Sequence, residues 1–389
     1  MIGAGVFTAF APAAAAAGAG LLAGLGIAAV IAYLNATASA QLAAQYPTSG
    51  GAYVYGRERI GEWAGFFAGW SFIVGKTASC AAMALTFAVY VAPAGWEKPV
   101  AIAAVVVLAV VNSFGVTRTA ALATVFVAIT LLVLALVVIS GLSSGRIDAE
   151  RIAPSAWASS PFGVLQSAGI LFFAFAGYAR IATMGEEVRD PARTIPRAIV
   201  LALASAVVVY AVIAVVSLLT LGPERLAAAD APLVEVATAG GWEWTGPLVR
   251  VGAAVASLGA LLALIAGVGR TTLAMARNAD LPPWLAAVHP RHAVPHRAEL
   301  ALALVVSVLI AVTDLRGAIG FSSFGVLLYY AVTNVAAFRQ DTRHRRYPRA
   351  FQVAGAAGCV VLAFTLPWQA VVGGAAVLVV GLAVRAIRI

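Results

Sequence analysis

The sequence predicts an all-α polytopic membrane protein of about twelve transmembrane helices, and three observations carry that prediction. Of the 389 residues, 62% are hydrophobic and 11% charged, with a mean hydropathy of +0.96; a soluble domain carries about 25% charged residues. Apolar stretches of about 20 residues, the length that crosses a bilayer, recur from end to end. Between them lie short segments rich in Arg, Pro and Gly. The net charge of +9 does not point to nucleic acid, because arginines in short loops between spans orient a membrane protein. Cys80 and Cys359 lie in apolar stretches and suggest no disulfide framework. No basic region precedes an apolar one at the N-terminus, so a signal peptide is not expected.

Taken in order, Met1–Ala17 is short for a span and opens on Gly3-Ala4-Gly5, which suits an unwound stretch with accessible backbone amides. Gly18–Ala43 is the second span, and Tyr46–Tyr55 has the chemistry of a loop. Glu62–Ala92 is the third, with Lys76 near its middle. Its Gly61, Gly65 and Gly69 form overlapping GxxxG steps that suit close packing within this chain. Pro99–Gly115 and Arg118–Leu142 are the fourth and fifth spans. Phe162–Gly185, the sixth, starts as a membrane helix at Ile170–Phe173, thins to Ala174-Phe175-Ala176-Gly177, and leads into a charged run containing Glu186, Glu187 and Arg189. A weak point inside a spanning helix is tolerated where protein or a cavity satisfies the freed backbone, and it marks a mid-membrane binding site.

Pro196–Leu221 is the seventh span and Gly222–Thr245 a polar loop. Gly246–Ala276, Ala298–Thr313 and Gly317–Phe338 are the eighth to tenth, with a Pro- and His-rich loop at Arg277–Arg297. Ala350–Leu366 and Pro367–Ala386 close the chain. With the N-terminus inside, most loop arginines fall on the cytoplasmic side, including Arg339, Arg343, Arg345, Arg346 and Arg349 in one loop. The expected placement is an inner (plasma) membrane with both termini cytoplasmic.

Several separated motifs agree. They are Gly3-Ala4-Gly5-Val6-Phe7, Pro47-Thr48-Ser49-Gly50-Gly51-Ala52-Tyr53, and Gly185-Glu186-Glu187-Val188-Arg189-Asp190-Pro191 before Ile195-Pro196-Arg197. Further on come Ala274-Met275-Ala276-Arg277-Asn278-Ala279-Asp280-Leu281-Pro282 after Arg270, and Arg346-Tyr347-Pro348-Arg349. Together, in this order, they resemble the amino acid–polyamine–organocation permeases. The resemblance implies a leucine-transporter type of fold: residues 1–142 and 162–338 as two inverted five-span repeats, broken first and sixth spans beside the substrate, and two further spans in 350–388. It implies transport of amino acids, polyamines or related amines, coupled to protons, to a counter-substrate or to sodium. Relatives carry about half a helix before the Gly-Ala-Gly motif, so a truncated first span, or a start assigned late at Met1, is expected. Many relatives also hold a lysine in the fifth span; Thr130 stands there in this chain.

For an amino-acid substrate, amides at Gly3, Ala4 and Gly5 favour the carboxylate. Carbonyls freed at Ala174, Phe175, Ala176 and Gly177 accept the ammonium. Phe172, Phe173, Phe175 and Tyr178 either form an aromatic lid or only pack against neighbours. Lys76, costly near a bilayer centre, is either a cation or proton site or a structural lysine bonded to freed carbonyls. Thr130 and Ser257 offer hydroxyls for coupling, or bond their own helix or a neighbour. Arg180 can pair with Glu186 or Glu187, or clamp the fold. No cofactor or metal is expected: His289, His292 and His296 share a loop without cysteines or paired acids. The Asn35-Ala36-Thr37 sequon falls inside a span and is not read as a glycosylation site. No catalytic constellation lies at membrane depth, and no repeated filter suggests a channel. With no acidic residue in the cores of spans 1, 3, 6, 8 or 10, the expected function is a sodium-independent transporter of neutral amino acids, proton-coupled or exchanging. Polyamine transport is the alternative, and a non-transporting scaffold or sensor another if the first half-helix is absent.

Overall fold

The computed structural model describes residues 2–48, 50–115, 119–153, 157, 160–178 and 190–388. Among these every regular element is helical. Eight stretches are long and apolar enough to cross a membrane; the protein is an integral membrane protein. The chain opens with α1 (Ala4–Thr8) and α2 (Phe10–Ala17), then turns at Gly18, whose φ of 53° favours glycine, into α3 (Leu21–Gln45). α2 and α3 together form one of the eight stretches found among the described residues, Phe10–Gln45.

The expected loop after α3 contains a short helix, α4 (Ala52–Arg59). α5 (Glu62–Val91) follows, buried over most of its length. α6 (Glu97–Ser113) has 17 residues, at the short end of the spanning range, and α7 (Thr119–Leu142) follows. α8 (Pro161–Phe175) starts where Ser160 accepts the Gly163 N–H at 3.1 Å and Pro161 presets the first turn. α9 runs Pro191–Leu221, five residues earlier than the sequence suggests. Pro191 at the first helical position is a strong start signal, so Pro196 lies inside the helix instead of opening it. The polar loop after it holds two one-to-two-turn helices, α10 (Pro223–Ala228) and α11 (Pro232–Thr238), each likewise opened by proline.

α12 (Thr245–Arg277) and α13 (His296–Val312) precede α14 (Leu315–Phe338), which begins where Asp314 accepts the Gly317 N–H at 2.8 Å. α15 (Arg349–Thr365) and α16 (Trp368–Arg388) are split at Pro367, as the sequence predicts. The interior is a continuous core of alanine, branched aliphatic and aromatic side chains. One close approach is glycine to glycine: a Cβ on Gly75 of α5 would lie 2.9 Å from Val326 N of α14, and one on Gly325 would lie 2.7 Å from Gly75 Cα. One turn along, the Ser79 and Ser322 hydroxyls bond at 2.6 Å. Gly65 and Gly69 pack inside the same chain, against α4 and Met275 of α12.

Candidate functional site

The site is built where the first segment crosses α8. Gly3 is extended (φ −155°, ψ −148°) with no side-chain cap, so α1 starts with its first amides unbonded by a capping side chain. Ala4 and Gly5 are helical, not unwound as the sequence suggests: α1 begins directly after Gly3, helical bonding continues from Ala9 N–H to Gly5 O at 2.9 Å, and Pro12 then removes a donor. On the other side, α8 ends at Phe175 and the backbone tightens into a 3₁₀ turn over Ala176–Tyr178. Gly5 sits directly on this end: a Cβ there would lie 2.7 Å from Ala174 Cα. Gly3 faces α12, where its Cβ would lie 3.3 Å from Ala260 Cβ. Gly5 and Ala174 thus meet backbone to backbone, Gly3 is turned to α12, and Gly177 is half-buried.

Ending a helix frees carbonyls, and buried carbonyls need donors. Two side chains from other helices supply them. The Tyr210 hydroxyl of α9 donates to Ala174 O at 3.0 Å, and Lys76 Nζ of α5 donates to Ala176 O at 3.0 Å. Lys76 is 3% exposed. An ammonium at this depth is tolerable because a carbonyl dipole faces it. The contact agrees with the reading of Lys76 as bonded to freed carbonyls, and it places a positive charge on the break.

A sequence profile described as amino acid permease matches residues 1–384. The chain belongs to the amino acid permease family. It is 58% identical to a Mycobacterium tuberculosis protein described as an uncharacterized transporter, over 100% of this chain and 88% of that one. It is 30% identical to cationic amino acid transporter 7, chloroplastic, of Arabidopsis thaliana, over 87% of this chain and 63% of that one. It is also 24% identical to the branched-chain amino acid permease BcaP of Bacillus subtilis, over 99% and 89%.

Elsewhere in the permease the candidate residues divide. Phe172 meets Tyr330 edge-on at 5.9 Å, Phe175 meets Tyr210 at 5.1 Å, and Tyr178 lies 5.0 Å from Tyr330. These rings pack against α9 and α14. Phe173 is buried in the same core. Thr130 donates to Phe126 O of its own helix at 2.7 Å, as membrane hydroxyls commonly do. Ser257 differs: it is fully buried, its hydroxyl has no partner among the described residues, and it follows Ala256, whose carbonyl faces Gly3. His289, His292 and His296 do cluster, with ring centroids 4.7 and 5.5 Å apart. Yet His289 Nδ1 accepts the Arg291 and His292 amides, and no group fit to hold a metal occurs among the described residues. Arg180, Glu186 and Glu187 lie outside the described residues.

The permease also holds polar contacts that sequence reasoning missed. Tyr210 interrupts an aliphatic run, Val207-Val208-Val209 before it and Ala211-Val212-Ile213 after it, and that isolation was its one signal. Asn35, dismissed as a sequon, accepts from Asn334 Nδ2 at 2.6 Å inside the bundle, where Gly355 leaves room for the Asn334 amide. Asp280 gathers a charged cluster at the end of α12. Ala279 is left-handed (φ 59°), and the Asp280 N–H returns to Met275 O at 2.9 Å, which turns the carboxylate inward. There it accepts from Arg57 (3.0 Å), the Tyr53 hydroxyl (2.7 Å) and Arg385. Burial, then the Asp280 carboxylate, pushes the Tyr53 phenol up to about 12, so it stays a donor at neutral pH.

Proposed function

We propose that this permease is a secondary active transporter of neutral amino acids that works by alternating access. The proposed architecture has twelve spans: two inverted five-span repeats over residues 1–142 and 162–338, and two more spans in 350–388. The membrane is the inner (plasma) membrane, with both termini cytoplasmic. The single observation that supports the reading best is the backbone-to-backbone packing of the first segment on the end of α8, at Gly5 and Ala174, because a helix end at membrane depth frees backbone groups that a substrate can use. On this reading the Gly3–Gly5 amides take the carboxylate, Ala174–Gly177 the ammonium, and Phe172, Phe173 and Phe175 bound the pocket.

The Lys76 ammonium at the break supports a neutral side chain, since like charge repels a cationic one. It also supports sodium-independence, with coupling to a proton or to a counter-substrate, Thr130 and Ser257 lying in the coupling region. Transport of cationic amino acids is the second reading, favoured by the name of the Arabidopsis relative; polyamines are a third class to test. Uptake into proteoliposomes decides among them. The expected result is saturable uptake of neutral amino acids, unchanged when sodium is replaced and accelerated by a pH gradient or internal substrate. Saturable arginine or putrescine uptake without competition from neutral amino acids, or a strict need for sodium, overturns the reading.

A further inference from the structure

We infer that Lys76 is a tethered stand-in for the substrate's own ammonium and thereby a specificity-determining residue. The inference rests on the transporter reading above. The substrate amine needs the carbonyls released where α8 ends. Lys76 Nζ already holds one of them, Ala176 O, at 3.0 Å, while the Tyr210 hydroxyl holds Ala174 O at the same distance. A hydroxyl and an ammonium are not equivalent here. The hydroxyl is neutral and can share a carbonyl with an incoming cation, because a carbonyl has two lone pairs. The ammonium repels a second positive charge brought to the same oxygen.

The lysine backbone cannot yield, because its neighbour Gly75 lies against Gly325 and Val326 with no space for a methyl group, and Ser79 is bonded to Ser322. Only the flexible four-carbon stem is free to move. Substrate binding is therefore an exchange of one ammonium for another on Ala176 O, with the Lys76 stem swinging aside. Two consequences follow for chemical class. The preferred ligand carries an ammonium next to its carboxylate and no second positive charge. A carboxylic acid lacking the amine leaves Lys76 on Ala176 O, so the wild type tolerates it better than a site of bare carbonyls would.

The test measures binding of a neutral amino acid and of its des-amino acid to the purified full chain in lipid nanodiscs. Wild type, Lys76→Met and Lys76→Arg are compared, each confirmed monodisperse. Lys76→Met is expected to bind the amino acid about tenfold more tightly and to discriminate against the des-amino acid by at least about tenfold more than wild type. Lys76→Arg, which keeps the charge, is expected to bind no more tightly than wild type. Should Lys76→Met not fold, Lys76→Gln, which keeps a neutral donor for Ala176 O, is read in the same way. Unchanged affinity and an unchanged amino-acid to des-amino-acid ratio in the neutral variant overturn the inference while leaving the transporter reading intact. A wild type that binds no amino acid of the panel overturns that reading, and this inference with it.

Discussion

The permease handles buried charge in two ways, and the crossing of the first segment with α8 is best understood beside the cluster around Asp280. At the crossing a single ammonium, Lys76, faces a backbone carbonyl, and the other partners are uncharged. At the end of α12 charge meets charge: Asp280 and Arg385, each 5% exposed, are joined by Arg57 at 24% and Glu62 at 70%. The first arrangement has one strong donor on an acceptor that, on the proposed reading, a ligand also uses. The second has its carboxylate surrounded by its own cations. Exchange of partners is cheap in the first and costly in the second, so the first suits binding and the second suits holding α4, α5, α12 and α16 together.

Removing Asp280 breaks the second region most severely. Asp280→Ala takes the buried anion from Arg385 and leaves it the exposed Glu62 carboxylate at 3.8 Å; breaking a buried pair in this way typically costs about 3–5 kcal/mol. A thermal-unfolding assay in detergent is expected to show a fall of that order, with uptake per folded molecule retained. Lost uptake at wild-type stability would mean that this cluster, too, serves the substrate.

At the crossing, Gly5→Ala puts a methyl group 2.7 Å from Ala174 Cα, where neither backbone can give way. The expected penalty is about 1–3 kcal/mol, with uptake reduced at least about tenfold because the first segment is pushed off the end of α8. Normal uptake in this variant would show that the crossing does not line the pathway.

Ser257→Ala removes a buried hydroxyl that has no partner among the described residues, so stability should hold or rise slightly. Uptake is expected to fall severalfold if that hydroxyl serves the coupling region; initial rates with and without a pH gradient measure this. The smallest effect is expected for Arg57→Ala. Arg57 is partly solvated, and loss of such a pair costs about 0.2–1 kcal/mol, a shift visible only in careful melting curves.

How much of this could be read from the chain depended on whether the signal was local. The break at Ala176 was legible because Ala174-Phe175-Ala176-Gly177 supplies small side chains and a glycine where a membrane helix should be continuous. Lys76 was legible because a lysine in an apolar helix requires a reason. Its partner was not, since a backbone carbonyl leaves no mark in the sequence. Asp280 stood inside a recognised motif, yet its cations lie 223 and 105 residues away and nothing in their spacing joins them. Asn35 and Asn334, 299 residues apart, met the same limit. The helix α4 was missed for another reason: its glycine-rich approach reads as a loop, and Gly51 with φ 55° does supply the turn, but a helix follows at once.

The glycine contact between α5 and α14 has a mechanical consequence for the lysine beside it. With Gly75 pressed on Gly325 and Ser79 bonded to Ser322, the two helices are fixed as one beam over this turn. Lys76 is rooted in the beam, while its other end rests on the tip of α8. A displacement of that tip is therefore measured against a stationary reference, and it lengthens or releases a single bond at Ala176. The bond acts as a gauge of where α8 stands, and on the proposed reading helix displacement and ligand arrival reach the same atom pair.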